Sequence, residues 1–193
     1  LIYIGHDIHA SRTKNCENKI CELEKVLDSW RGRDLTLFWK ITVIKSLALP
    51  KLVYSASLTE TPPYIITKIE KILYKFIWKS KDRIKRKCII SSTLEGGLSM
   101  IDLETHFASL KAAWMTRILQ DDDQYDWNIL AKMHLSNIGL EIVTKYNIQD
   151  EDASFLDILP EFYRQVVLCY SRAKAPKIIS NSNELMDQVK WGN

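Results

Sequence analysis

Apolar residues recur every three or four positions along most of the chain, the spacing of helices with one buried face. The first stripe predicts a helix that begins near Thr13, a capping residue, and ends at Gly32. The next predicts a helix over about residues 35–48, broken or kinked at Pro50. The stripes comprise Ile20, Leu23, Leu27 and Trp30, then Leu37, Ile41, Ile44 and Leu47, with Phe38, Trp39 and Val43 widening the second apolar face.

Further helices are predicted by the same spacing together with local start and stop signals. Thr61-Pro62 is typical of a helix start, and Asp102 is a capping residue for a later helix that should end at Asp121–Asp123. A helix from Pro160 and a last one from Ser182 complete the pattern. The apolar positions are Ile65, Ile69, Ile72, Phe76 and Ile77 in the helix from Thr61, and Leu103, Phe107, Leu110 and Trp114 in the helix after Asp102. They are Phe162, Tyr163, Val166, Val167 and Tyr170 in the helix from Pro160, and Leu185, Met186 and Val189 in the last helix.

Two segments do not follow the helical spacing. Leu1 to Ile8 alternates loosely and predicts a strand whose sheet partners would lie upstream, because a lone strand is not stable. Ile84 to Ile90 is ambiguous, with a short strand as one interpretation. The Gly96-Gly97 pair predicts a tight turn. The expected fold is therefore mainly α: a helical bundle over residues 13–120, preceded by one residual strand within 1–12 and followed by an incomplete helical connector over 121–193.

Charge is distributed unevenly, although the net charge is only +3. The stretch from Lys68 to Lys87 contains nine bases and two acids, whereas the stretch from Asp121 to Glu161 contains ten acids and two bases. Exposed charges act over about one Debye length, roughly 8 Å in physiological salt, so these local fields matter more than the total. The basic stretch is a candidate contact for a polyanion, and the acidic stretch is not.

Targeting signals, membrane spans and cysteine motifs indicate the compartment of a protein. The sequence contains no secretory signal pattern, and its most apolar region, Ile41 to Tyr54, is interrupted by Lys45, Pro50 and Lys51. A membrane span needs about 20 apolar residues, so none is expected. The four cysteines form no Cys-x-x-Cys pair, which favours free thiols in a reducing compartment. We expect an intracellular protein, nuclear or cytoplasmic, cut from a larger one.

Several short motifs occur in an order that resembles the reverse transcriptases of LINE-type non-long-terminal-repeat retrotransposons. Each motif alone consists of common residue types at helical spacing, and their order and spacing carry the resemblance. The motifs are Tyr3-Ile4-Gly5, the stretch from Trp30 to Leu37, the stretch from Ile44 to Tyr54, Phe76-Ile77-Trp78-Lys79, Arg83-Ile84-Lys85-Arg86, the stretch from Glu95 to Leu103, Leu159-Pro160-Glu161-Phe162-Tyr163 and Trp191-Gly192-Asn193.

The resemblance implies a position within the polymerase as well as a family. Tyr3-Ile4-Gly5 resembles the family's Tyr-Leu-Gly motif near the end of the palm. The family's catalytic aspartates lie in the palm, in a Phe/Tyr-x-Asp-Asp hairpin upstream of that motif, and would therefore precede Leu1. The chain would then be the thumb, which closes on the RNA–DNA duplex, followed by the connector. The parent polymerase would need Mg²⁺, but no cofactor is expected in this segment, and its protein partner would be the upstream palm.

The residues expected to contact phosphate are basic side chains near the end of the helix predicted from Thr61, and beside the kink at Pro50. A polymerase must hold any sequence, so contacts to the backbone suit it better than contacts to bases. The alternative is a solvated basic helix end, which the helix dipole also favours. Lys45 and Lys51 could equally extend their heads from buried stems. The candidates are Lys45, Lys51, Lys79, Lys81, Arg83, Lys85, Arg86 and Lys87.

Other chemistry is not supported by the sequence. Asp121-Asp122-Asp123 follows a helix and is expected to be a solvated loop, because two-metal catalysis needs carboxylates converging on a rigid scaffold. His6 and His9 lack further converging ligands for a metal. Trp30, Trp114 and Tyr163 lie on apolar stripes and are expected in the core, whereas Trp78 is left open between packing and base stacking. No catalytic and no metal-binding residue is therefore predicted.

The expected function is sequence-independent binding of an RNA–DNA template–primer duplex, as part of a polymerase whose catalytic palm lies outside the chain. The alternative is a helical protein-interaction module, whose acidic half would bind a basic partner or the basic half of a second copy. That alternative predicts salt-sensitive self-association without nucleic acid. The other alternative is a decayed transposon remnant without activity.

Overall fold

The computed structural model describes residues 8–59, 61–78, 83–120, 126–145, 148 and 150–174, and these residues are mainly helical. A short π-helix, Ile44–Ala48, and 3₁₀ turns at Thr93–Glu95 and Asp150–Ile158 lie between the α-helices. The expectation of a mainly α fold is confirmed. The α-helices are α1 (Ile8–Arg31), α2 (Leu37–Val43), α3 (Pro50–Leu58), α4 (Pro63–Trp78), α5 (Arg86–Ile90), α6 (Leu103–Leu119), α7 (Asp126–Ser136), α8 (Leu140–Lys145) and α9 (Glu161–Ala173).

Helix α1 confirms the first apolar stripe but begins earlier than expected. Leu23 and Leu27 are fully buried, and the helix ends at Arg31, before Gly32. It begins at Ile8, so placing the start at Thr13 was wrong, and Ile8, the last residue of the predicted strand, is helical. A helix satisfies its own backbone hydrogen bonds, whereas a strand there would need a partner strand. Residues 1–7 lie outside the described residues.

The helix expected over residues 35–48 changes its geometry halfway. The Leu49 amide donates to the Ile44 carbonyl at 2.9 Å, five residues back, and the wider π turn rotates the following side chains. Ala48 and Leu49 are buried, whereas Leu47, expected in the core, is 40% exposed. Phe38 and Trp39 do not widen the buried face either, because both project from α2 and are 56% exposed.

Pro50 bends the chain as expected and lies in the first turn of α3. The segments Leu37–Ala48 and Pro50–Leu58 meet at 49°. Among the described helices, none is by itself long and apolar enough to cross a membrane, although this bent pair together satisfies the length and composition of a span. Both halves of the pair contribute buried side chains, among them Ile41, Ile44 and Leu52, to the core described next.

The first hydrophobic core is built by α1 to α4 and closed by the start of α6. Helix α4 contributes the most side chains, and the Lys40 ammonium donates to the Ile77 carbonyl at 2.8 Å, which ties α2 to the end of α4. Four of the five positions predicted for the α4 stripe are buried, Ile72 is only partly buried, and Leu73 and Tyr74 are buried in addition. The fully or nearly buried members on α4 are Ile65, Ile69, Leu73, Tyr74, Phe76 and Ile77.

A second core is formed by the end of α6, helices α7 to α9 and the 3₁₀ turn before α9. Its centre contains Met115, Ile118, Leu135, Val143 and Val166, all of them fully buried. Helix α6 contributes to both cores: Leu103 and Phe107 lie in the first and its last two turns in the second. The two cores meet within α6. The boundary near residue 120 that the sequence suggested stays a prediction.

The cap predicted for α6 is present, and α9 begins where the sequence placed it. The Asp102 carboxylate accepts from the Thr105 amide at 3.3 Å, and α9 begins directly after Pro160. Between α5 and α6, the chain turns through Gly96, whose φ of 79° lies in the region that favours glycine. The helix predicted from Ser182 lies outside the described residues.

Candidate nucleic-acid interface

Three lysines form a stripe on the exposed face of α4. Lys68, Lys71 and Lys75 are all exposed, and successive helical residues are rotated by about 100°, so these three lie on one side. Ile69 and Leu73, on the opposite side, are 1% exposed. Since the rise is about 1.5 Å per residue, the three lysine positions extend over about 10 Å along the helix axis. We call Lys68, Lys71 and Lys75 the α4 lysine stripe.

Helix α5 is fastened to α4 by the Arg86 side chain. One Arg86 guanidinium nitrogen, Nη1, lies 3.1 Å from Oε2 of Glu70, and the guanidinium carbon lies 4.2 Å from the centre of the Tyr74 ring. Glu70 and Tyr74 occupy the flank of α4 between its buried face and its lysine stripe. Arg86 therefore places α5 beside the stripe, and its own charge is largely occupied by a structural contact.

The other described bases of this segment remain exposed beside α5. Arg83, Lys85 and Lys87 each have an exposed side chain, and Lys85 directly precedes the helix. Ile89, on the opposite side of α5, is 1% exposed and belongs to the first core. Lys79 and Lys81, which were also predicted to contact phosphate, lie outside the described residues.

The chain after α5 folds back and holds this short helix in place. The amides of Leu98 and Met100 both donate to the Ile89 carbonyl, at 3.2 and 3.0 Å, and the Ser99 amide donates to the Ser91 carbonyl at 2.9 Å. A Cβ atom on Gly97 would lie 2.0 Å from the Ser91 carbonyl oxygen, so this close return requires glycine. The Gly96-Gly97 turn thus has a structural role next to the basic residues.

Lys45 and Lys51, predicted together, have different neighbours. The Lys45 ammonium donates to the Ser99 carbonyl at 3.1 Å, which places it at the turn that supports α5. Lys51 is exposed and lies towards α1. There the pKa of Glu22 is lowered, chiefly by a hydrogen bond from Lys19 and to a lesser degree by the charges of Lys19 and Lys51. Only Lys45 is thereby connected to the α5 region.

The members of the α4 lysine stripe belong to the basic stretch found in the sequence, but they were not among the residues predicted to contact phosphate. The signal was present: Lys68, Lys71 and Lys75 alternate with the apolar positions of α4 and fall on the opposite side of the helix. Trp78, which had been left open, packs partly buried against the first core, and its Nε1 is buried. This placement favours packing over base stacking for Trp78.

The remaining aromatic and titratable groups fit a packing role. Trp30 packs against the first core beneath the Arg33 guanidinium, 4.0 Å from the ring centre, while Trp114 and Tyr163 pack against the second core, as predicted. Within the described ranges, no group of three or more His, Cys, Asp and Glu side chains converges as a metal site would require. His6 and Asp121–Asp123 lie outside those ranges, and so does the side chain of His9.

No protein-family model matches the chain, and no solved structure matches it significantly. The likeness to LINE-type reverse transcriptases therefore rests on the motifs in the sequence.

Proposed function

We propose that this chain is the thumb and connector segment of a LINE-type non-long-terminal-repeat retrotransposon reverse transcriptase, and that it grips the phosphate backbone of an RNA–DNA duplex. The observation that carries the proposal is the Arg86 contact with Glu70 and Tyr74, because it puts the exposed bases of the α5 segment beside the α4 lysine stripe. Two separate sequence segments thus share one basic surface, which consists of Lys68, Lys71, Lys75, Arg83, Lys85 and Lys87.

The dimensions of this basic surface suit a nucleic-acid backbone. One strand of a duplex presents a charge about every 3.4 Å along the axis, so a stripe about 10 Å long spans roughly three phosphates. Lysine contacts a phosphate as a flexible point charge and carries no information about bases. Such a surface holds any sequence, as a polymerase requires.

The chemical contribution of the segment would be positioning. Polymerisation depends on alignment of the primer end with the incoming nucleotide, and a segment that fixes the duplex lowers the entropic part of that barrier. The palm of the same polymerase would supply the carboxylates and hold the Mg²⁺ ions. Lys45 would act at the same surface through the Ser99 carbonyl, by supporting the turn behind α5.

The test is a fluorescence anisotropy titration of the chain with an RNA–DNA hybrid at salt concentrations from about 50 to 200 mM. The variant Lys85→Gln/Lys87→Gln should bind every hybrid sequence more weakly. The slope of log affinity against log salt should flatten by roughly one unit for each phosphate that the variant no longer neutralises, since fewer counterions are released.

The matched control is Lys25→Gln/Lys145→Gln, which removes the same charge from exposed positions on α1 and α8. Lys145 pairs with Glu141 at 2.7 Å, and a surface pair of this kind contributes little to stability. The control should retain the parent slope. Equal slopes for the parent, the variant and the control, in chains shown to be folded by circular dichroism, would contradict the proposal. Salt-sensitive self-association without nucleic acid would favour an interaction module instead.

A further inference from the structure

An aromatic groove lies at the second core, and none of the residues that line it belongs to the basic surface. It has a volume of about 360 Å³ and is lined mainly by apolar side chains of α6, α7 and α9. The Trp114 ring meets Trp127 and Phe162 edge to face, with centroids 5.8 and 5.7 Å apart, and Phe162 meets Tyr163 at 5.4 Å. Such stacked rings form a rigid wall with a fixed shape.

Helix α7 extends this groove with an exposed apolar ridge. Ile129, Leu130 and Met133 are 54%, 49% and 57% exposed, and helical geometry puts them on one side of α7. Leu130 also lines the groove. An apolar ridge that continues an apolar groove is typical of a surface that another segment covers.

We propose that the groove and ridge bind the carboxyl-terminal segment of the same chain, residues 182–191. In helical geometry, Leu185, Met186 and Val189 share one face of this segment. That face offers three apolar side chains to a groove that needs apolar contact. This docking does not depend on nucleic-acid binding.

The length of the chain allows this contact. Helix α9 contains the groove residues Phe162 and Tyr163 in its first turn, and its C-cap residue Lys174 lies about 17 Å further along the helix axis. The Lys174 ammonium donates to the Val143 carbonyl, which fixes the end of α9 against α8. Residues 175–181 can span at most about 24 Å, so Ser182 can return to the groove.

Polar groups at the groove complement the proposed segment. The Arg117 guanidinium lies over Trp114, 5.0 Å from the ring centre, and its side chain is exposed at the groove. Glu184 and Asp187 of the segment carry the opposite charge. The Trp114 indole Nε1 is buried and has no hydrogen-bond acceptor among the described residues, so a carbonyl or carboxylate of a docked segment would satisfy it.

The experiment is NMR spectroscopy on the intact 193-residue chain. Nuclear Overhauser effects are expected between the methyl groups of Val189 or Leu185 and the indole ring of Trp127. The variant Val189→Asp should abolish these effects and shift the indole ¹⁵N–¹H resonances of Trp114 and Trp127. The matched control Asn183→Asp adds the same charge outside the apolar face and should leave both resonances in place.

Three results would overturn the proposal. Absence of these effects in the folded parent chain would show an unoccupied groove. Indole resonances that respond equally to Val189→Asp and Asn183→Asp would show a charge effect without docking. Nuclear Overhauser effects that appear only between differently labelled chains in a mixed sample would show that a second copy fills the groove. Because the parent chain is itself measured, a variant that fails to fold does not obscure the result.

Discussion

Helices α4 and α7 distribute their apolar residues in opposite ways. Helix α4 buries most of its large apolar side chains, such as Ile69 and Leu73, and exposes lysines. Helix α7 buries Asn128, Ala131 and Leu135 and exposes Ile129 and Met133. The outer surface of α4 is therefore suited to electrostatic contact with a polyanion, and that of α7 to hydrophobic contact with a polypeptide. One chain thus presents two surfaces of different chemistry.

Among the substitutions considered, the largest loss of stability is expected on the buried face of α4. Leu73 is 1% exposed, and Leu73→Ala should lower the free energy of unfolding by about 2–5 kcal/mol, because it removes apolar contacts and leaves a cavity. Urea denaturation measures this change. On α7, Ile129→Ala should cost less, and equal losses of stability at both positions would refute the contrast between the two helices.

The Gly96-Gly97 turn that supports α5 should be nearly as sensitive. Gly97→Ala puts a Cβ atom 2.0 Å from the Ser91 carbonyl oxygen, so the backbone must shift, at a cost of roughly 1–3 kcal/mol. Thermal unfolding should show a lower Tm. Gly32→Ala is the control, since no atom lies within 4 Å of a Cβ there. An unchanged Tm for Gly97→Ala would contradict the close return of the chain.

The outer face of α4 should affect binding without affecting stability. Lys68→Gln/Lys71→Gln/Lys75→Gln should flatten the salt dependence of RNA–DNA binding by roughly one unit for each lysine that contacts phosphate. Its unfolding free energy should change by no more than about 0.5 kcal/mol per site, as is usual for exposed positions. Anisotropy titration and urea denaturation measure the two quantities.

The control Ile129→Gln/Met133→Gln on α7 should retain the salt slope of the parent chain. If this control weakens RNA–DNA binding as much as the lysine variant does, the proposed difference between the outer faces of α4 and α7 is wrong.

On the groove side of α7, a substitution should lower stability less than at Leu73 or Gly97, but more than the exposure of the residue suggests. Leu130 is 49% exposed, but Leu130→Ser should destabilise the chain by about 1 kcal/mol if residues 182–191 cover it. The matched control is Leu94→Ser at a 97% exposed position. Differential scanning calorimetry compares the two variants, and identical Tm values would count against a covered groove.

Helical periodicity was enough to predict most of the fold. Ile20, Leu23 and Leu27 on α1, and Ile65, Ile69 and Phe76 on α4, are buried as their spacing requires. The cap at Asp102 followed from a side-chain preference that acts within a few residues, and the start of α9 next to Pro160 followed from the spacing of the apolar residues after it. The helical start at Ile8 and the π-helix Ile44–Ala48 could not be predicted, since no local residue pattern marks either one.

The candidate site was predictable in composition but not in arrangement. Charge counting located the basic segment between Lys68 and Lys87, because charge is a property of sequence alone. It could not show that Arg86 is occupied by Glu70 and Tyr74, or that Lys45 reaches the Ser99 carbonyl.

The sequence by itself determined the mainly helical character of the chain, the buried faces of α1 and α4, and where charge accumulates, since these properties depend on neighbours within one or two turns. Only the tertiary structure decided that α5 lies against α4 and that α6 joins two cores. It also decided that α7 leaves its apolar ridge exposed. These outcomes depend on which helices pack together, and packing between residues far apart in sequence is set by the shape and volume of the whole core.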